Sequence, residues 1–266
     1  MTVYVYSLKS SKTNDDIITK IEEELKNIYP NLVNISYDNF FKMDLSSVNR
    51  VIFSGGDGTF NHMVNYLVNY PDITLGYIPT GTANDMAKVL KIKNYKDALI
   101  KIKNGNIKEY KLLEVKDNNE TKYFNYALCF GNMASVSNDA KSSVKKKLKK
   151  FDYLLRGCKL LFCKREKIKV EINGKTYIRN LRALIIFRSK TLGGYRVTYR
   201  SSNIIRVCFI NNIFDLGMMF ILGLPIVKKC NMLHVEGDTI SSIDGEKGTF
   251  KKCDIKISDK IIKIIA

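Results

Sequence analysis

The stretch RVIFSGGDGTFNHMVNYLV, residues 50–68, decides how the first half of the chain folds. Val51, Ile52 and Phe53 form a short apolar run bounded by small residues, which reads as a buried strand. Phe60, Met63, Val64, Leu67 and Val68 then recur at helical spacing and mark one face of a helix. Between them lies S-G-G-D-G-T. Glycines there let a backbone approach a phosphate, and the following helix offers unpaired N–H groups and a positive dipole end. Asp57 would repel that phosphate unless a divalent cation lay between them. Magnesium suits, being hard, oxygen-seeking and usually shared with substrate phosphates. A plain helix-capping role for Asp57 is the alternative reading. The turn is not a Walker loop, since no G-K-[ST] follows, and it lacks the third glycine of the dinucleotide fingerprint.

Working outward, TVYVYSL alternates and reads as a strand. NDDIITKIEEELKNIYP has apolar residues at 17, 18, 21, 25 and 28, with Asn14 as a cap and Pro30 as a stop, and predicts a helix. LVNISYD predicts a second strand and ITLGYIP a fourth. TANDMAKVLKI predicts a short helix with Met86, Val89 and Leu90 inward. Strand and helix alternate, so residues 1–115 read as an α/β domain with a mainly parallel sheet. From KLLEVKDNNETKYFNYAL onward the pattern turns to hairpins, including an Asn173-Gly174 turn. Residues 116–266 therefore read as a β-rich antiparallel domain, whose C-terminal end is a candidate to return to the first domain.

The chain has 266 residues, 45% of them apolar, enough for a large core and too hydrophobic for disorder. Its net charge of +18 attracts polyanions such as nucleotide phosphates or an anionic membrane face; a lysine-rich background composition is the bland alternative. Residues 141–169 hold twelve Lys or Arg against Asp152 and Glu166, over half of the net charge. Six cysteines without a C-x-x-C pair, and only two histidines, argue against structural zinc and for free thiols in a reducing cytosol. MTVYVYSLKSSK lacks a basic start followed by an apolar core, so no secretory leader is expected. The longest uncharged apolar run, LGMMFILGLPIV, has 12 residues and is too short to span a bilayer.

A second strand–turn–helix, LGYIPTGTANDMAKVL, places Thr80, Gly81, Thr82, Asn84 and Asp85 after another strand. In an open α/β sheet both turns open on the edge where ligands bind. GGDGTFN followed by PTGTANDMA resembles the diacylglycerol-kinase catalytic domain of the bacterial soluble lipid kinases. The first motif alone is shared with NAD kinases. The likeness continues through YFNYALCFGNMASVS, KLKKFDYLLRGCKLL and SIDGEKG.

The resemblance implies a two-domain fold with the active site in the interdomain cleft, and an ATP- and magnesium-dependent transfer of the γ-phosphoryl group to a hydroxyl of diacylglycerol or a related lipid. It implies that Gly55, Gly56, Asp57, Gly58, Thr59, Asn61, Gly81, Thr82 and Asn84 bind nucleotide, that Asp57 engages the metal, and that Asp85 supports the network around it. Glu246 of IDGE matches the family's general base. Taken without the family, Glu246 reads as a solvated hairpin residue after Asp244-Gly245. The pattern departs from the family at Ser7, where an asparagine is usual, at His62, where a glutamate often stands, and at Lys111, near a common aspartate. The D-D-G-rich motif of a structural magnesium site has no match. A catalytically impaired nucleotide or lipid binder, and an NAD-kinase-like enzyme, are the alternatives.

VKKKLKKFDYLLRGCKLLF places Val144, Leu148, Phe151, Leu155, Cys158 and Phe162 on one helical face, with Lys145, Lys146, Lys147, Lys149 and Lys150 mostly elsewhere. Lysines at a helix N-terminus oppose the macrodipole, so helix stability does not explain them. Each exposed lysine near an anionic bilayer adds about 1 kcal/mol of attraction. The segment reads as a membrane-facing helix or as ordinary core with a basic flank. The expected location is cytoplasmic, peripheral on the inner face of the membrane. No nucleic-acid partner is expected, since no recognised module for one is present.

Overall fold

A computed structural model describes residues 1–7, 15–81, 84–131, 164–188, 191–192, 195–196, 204–212, 214–215, 227–244 and 246–266. The chain divides into two compact units, Met1–Leu112 with Asp259–Ala266, and Leu113–Ser258.

The first unit runs β1 (Thr2–Tyr6), α1 (Asp15–Ile28), β2 (Val33–Ser36), α2 (Tyr37–Phe40), β3 (Arg50–Gly55), α3 (Asp57–Leu67), β4 (Thr74–Pro79), α4 (Asp85–Val89), α5 (Tyr95–Asn104) and into β5 (Ile107–Lys116). The strand order β2-β1-β3-β4 is parallel throughout. Every residue of β4 is buried, as a central parallel strand covered on both faces requires. The apolar stripe of α3 is the buried one: Phe60, Met63 and Val64 are fully enclosed. In α1, Ile18, Ile21 and Leu25 face inward, and the helix stops two residues before Pro30.

Two local features differ from the sequence reading. The second strand stops at Ser36, and Tyr37–Phe40 turns into a short helix. Phe40 is fully buried there, its ring edge-on to Tyr66 at 5.7 Å and to Phe41 at 5.6 Å, so aromatic packing overrides the strand propensity of the run. The second feature, α5, is set by its ends: Asn94 caps it by accepting from the Asp97 N–H at 3.0 Å, and Gly105 closes it in left-handed backbone.

The second unit is built of β6 (Thr121–Phe124), β7 (Ala127–Phe130), β8 (Glu166–Ile172), β9 (Lys175–Leu181), β10 (Ala183–Phe187), β11 (Thr191–Leu192), β12 (Tyr195–Arg196), β13 (Ile205–Ile210), β14 (Val227–Cys230), β15 (Met232–Glu236), β16 (Ser241–Ile243), β17 (Glu246–Gly248) and β18 (Lys252–Ile265). One antiparallel sheet has the order β14-β13-β10-β7-β16-β17. In a second layer β18 pairs β15, β15 pairs β8, and β8 pairs β9, all antiparallel. Leu128, Phe130, Leu184 and Ile186 from the first layer pack with Val170, Val235 and Ile255 from the second. The alternate residues Ala127, Ala183, Ile185 and Phe187 form a separate cluster on the opposite face, the period-two signature of a sheet buried on both sides. The turns hold as the sequence reads. Asn173 and Gly174 both carry positive φ, as a two-residue hairpin demands. In KDNNET the Asp117 carboxylate accepts from the Asn119 and Glu120 N–H groups. The last residues of β18 leave the second unit and pair in parallel with β4, Ile264 opposite Leu75.

The basic segment carrying Lys145, Lys146, Lys147, Lys149 and Lys150 lies outside the described residues. Among the described residues, no helix is long and apolar enough to cross a membrane.

Candidate functional site

The two glycine turns end the neighbouring strands β3 and β4, on the C-terminal edge of the first unit's sheet. Backbone ties them together. The Thr80 and Gly81 N–H groups donate to the Gly55 carbonyl oxygen at 3.0 and 3.2 Å. A Cβ on Gly81 would lie 2.5 Å from Gly56 Cα, and one on Gly55 would lie 2.5 Å from Thr59 Cβ. Both positions therefore require glycine: Gly81 for close approach of the turns, Gly55 because Thr59 folds back over it.

Asp57 heads α3 but makes no cap for it. The N-cap is Gly56, in extended backbone, with no side-chain cap bond. Instead, Asp57 Oδ1 accepts from the Met86 N–H at 3.0 Å, across to the first turn of α4. The residue that precedes α4, Asn84, stands in left-handed backbone and supplies no cap bond of its own. Its side chain is turned back, Nδ2 donating to the Gly81 carbonyl oxygen at 2.8 Å. Asp57 thus stitches one turn's helix to the other's. Burial pushes its carboxyl above the usual 3.8, outweighing the bonds from Met86 and Asp85 N–H groups, with the Asp85 charge adding to the rise and Lys88 opposing it.

Asp85 is buried and its Oδ1 is 2.6 Å from Lys88 Nζ, one turn along α4. Asn61 is also buried, and its Oδ1 accepts from Asn65 Nδ2 at 3.0 Å. Gly58 and Thr59 are partly exposed in the first turn of α3, where helical N–H groups have no intrahelical partner. Thr82 lies outside the described residues. His62 is exposed and its Nδ1 lies 2.7 Å from the Tyr37 hydroxyl, the two rings stacked. The structure thus brings Gly55, Gly56, Asp57, Gly81, Asn84 and Asp85 together. Glu246 belongs to the second unit, where β17 pairs it with Ile243 of β16.

Sequence reasoning passes over two residues here. Tyr77 is fully enclosed under both turns, between the rings of Phe53 and Phe60, its hydroxyl 3.3 Å from the Gly55 carbonyl oxygen and 3.4 Å from Asn84 Oδ1. Burial first, then the charges of Asp57 and Asp85, push its ionisation far up, so the hydroxyl stays protonated. Lys88 is the other, and its signal was the i,i+3 spacing from Asp85.

Among the described residues no three His, Cys, Asp or Glu side chains cluster as a protein-only metal cage. The donor set does fit magnesium, which commonly takes one or two carboxylates together with water and substrate phosphate. Asp57 and Asp85 supply two, and a carboxylate has about four acceptor positions, more than backbone N–H groups use here. Thiol chemistry is disfavoured at the described cysteines: burial pushes Cys129, Cys208 and Cys253 each up to about 12.

The two turns carry the motifs GGDGTFN and PTGTANDMA on which the resemblance rests, and comparison with known proteins returns the same family. Residues 9–115 match the diacylglycerol kinase catalytic domain. The diacylglycerol kinase of Bacillus subtilis (strain 168) is 29% identical over 157 residues, 57% of this chain and 50% of that protein. The chain spans about half the length of the curated relatives it matches. Among solved structures, a diacylglycerol kinase from Bacillus anthracis str. Sterne superposes with a TM-score of 0.79 at 18% identity, over 99% of this chain and 96% of that one. An NAD kinase from Archaeoglobus fulgidus, solved in complex with ATP, gives 0.60 at 12% identity, over 100% and 94%. These two likenesses are of fold.

Proposed function

We propose that the chain is a lipid kinase, transferring the γ-phosphoryl group of ATP to a hydroxyl of diacylglycerol or a related lipid with the help of magnesium. The observation that carries this reading is the Asp57–Met86 bond between two glycine turns packed too closely for any Cβ at Gly81. Such a pair costs stability through a buried carboxylate and serves packing poorly. It suits a polyphosphate with its counterion well.

In this reading the N–H groups at the start of α3, from Asp57 to Thr59, receive phosphate oxygens, and the glycines keep side chains out of their way. Asp57 and Asp85 would hold magnesium, which when bound would neutralise charge on the triphosphate. Asn84 and Tyr77 keep the second turn in shape beneath the nucleotide. Glu246 takes the proton from the lipid hydroxyl as that oxygen attacks phosphorus, and the nucleoside diphosphate leaves. The basic segment at residues 141–169 would draw the protein to an anionic membrane face in the cytoplasm.

Radiolabelled ATP, magnesium and mixed lipid micelles test the proposal. The expected product is a phosphorylated lipid, and Asp57→Ala lowers its formation by more than about 100-fold. NADP formed from NAD would instead favour an NAD-kinase-like enzyme. Bound ATP with no transfer to any lipid would mark a binder without catalysis.

A further inference from the structure

The turn at Asp244 carries far stronger anchoring than a turn needs. The Asp244 carboxylate collects three consecutive backbone N–H groups from the head of β7: Oδ2 accepts from Asn125 at 2.9 Å, and Oδ1 accepts from Tyr126 and from Ala127, each at 2.9 Å. The Asp244 N–H donates in return to the Ala127 carbonyl oxygen at 2.8 Å. Hydrogen bonds to an ionised carboxylate are about twice as strong as neutral ones. A hairpin turn does not require them. Asp244 has φ +48°, a left-handed backbone that asparagine tolerates and glycine adopts without cost.

The carboxylate therefore does something besides making the turn. It pins the turn to a strand whose register is already fixed on both sides, Ile243 opposite Leu128 and Ile186 opposite Leu128. Glu246 follows two residues later and pairs Ile243. With the turn held at four points, Glu246 leaves it on one face and at one height.

We infer that Asp244 is a positioning residue for Glu246: its carboxylate, seated on the Asn125–Ala127 N–H groups, fixes where the glutamate of IDGE emerges. This rests on the reading of Glu246 as the proton acceptor. Backbone donors take three of the roughly four acceptor positions of the Asp244 carboxylate.

The test uses Asp244→Gly and Asp244→Asn in the full chain, with amide hydrogen exchange and lipid-kinase kinetics as readouts. In both variants the amides of Asn125, Tyr126, Ala127 and Glu246 exchange at least about 10-fold faster while those of β8 and β15 do not change. The kcat falls by about 100-fold, as a displacement near 1 Å can cause, and KM for ATP holds. A role confined to the turn predicts the reverse for glycine, which would exchange and turn over like the unmodified protein, and that result overturns the inference. If glycine loosens the whole unit, the asparagine variant carries the same two outcomes, because it keeps the shape and one acceptor oxygen. Unmodified protein that phosphorylates no lipid would sink the kinase reading by itself, while the exchange comparison still decides whether Asp244 places Glu246.

Discussion

Asp57 holds its position with a partly buried charge. Its carboxyl is raised above 3.8 chiefly by burial. An acid raised in this way binds a proton more readily when folded than when unfolded. Its ionised form therefore lowers stability near neutral pH, and the penalty fades as pH falls through the raised value toward 3.8. Asp57→Asn removes the charge and keeps an oxygen to accept from the Met86 N–H. The variant should melt a few degrees above the unmodified protein near neutral pH, and the gap should close by about pH 4. Thermal melts followed by circular dichroism across that range check it. An unmodified protein that is the more stable of the two at neutral pH would show that the bonds to α4 outweigh burial. If Asp57 holds magnesium as proposed, nucleotide-dependent activity should be lost in the same variant, a trade of function for stability.

At the scale of elements, the close approach of the two turns is the feature most sensitive to a single methyl group. Gly81→Ala places a Cβ against the Gly56 backbone, which cannot move aside without opening the turns. A cost of about 1–3 kcal/mol follows, with nucleotide affinity falling at least about 10-fold. Gly105→Ala is the control: φ is +68° but nothing lies within 4 Å, so only the backbone penalty of about 1–2 kcal/mol is expected, with nucleotide binding intact. Calorimetric ATP titration and denaturant melts separate the two. The turns were legible in the sequence because glycine clusters after apolar runs have a local cause, and so were the Asn173-Gly174 hairpin and the apolar stripe of α3. The bond from Asp57 to Met86 had no local signal, since it joins residues 29 apart through a backbone N–H that any amino acid but proline would offer. The short helix at Tyr37–Phe40 was hidden for a related reason: its rings pack on Tyr66, far along the chain, and that packing decides its shape. The hold of Asp244 on Asn125–Ala127 spans 117–119 positions and was likewise invisible.

At the scale of the whole molecule, β5 and β18 each belong to both units. β5 crosses from one to the other at Leu112–Leu113, and β18 crosses back at Ser258–Asp259. The first unit is therefore completed only by residues 259–266. Its share of β18 pairs β4 in parallel and buries Ile262, Ile264 and Ile265 almost completely. Each such side chain contributes about 1.5–3 kcal/mol, so the three together offer roughly 5–9 kcal/mol. A whole domain is commonly stable by only about 5–15 kcal/mol. Removing residues 259–266 should then unfold the first unit or leave it marginal. The second unit should persist, because β15 pairs β18 within residues 252–256 and that segment remains. Amide exchange on the shortened chain checks this: protection should vanish in β3 and β4, along with ATP binding, and survive in β8, β10 and β15. Full protection of β3 and β4 without the last eight residues would mean that the four parallel strands and their helices are sufficient by themselves, and that the return of the chain end is not what holds the glycine turns in place.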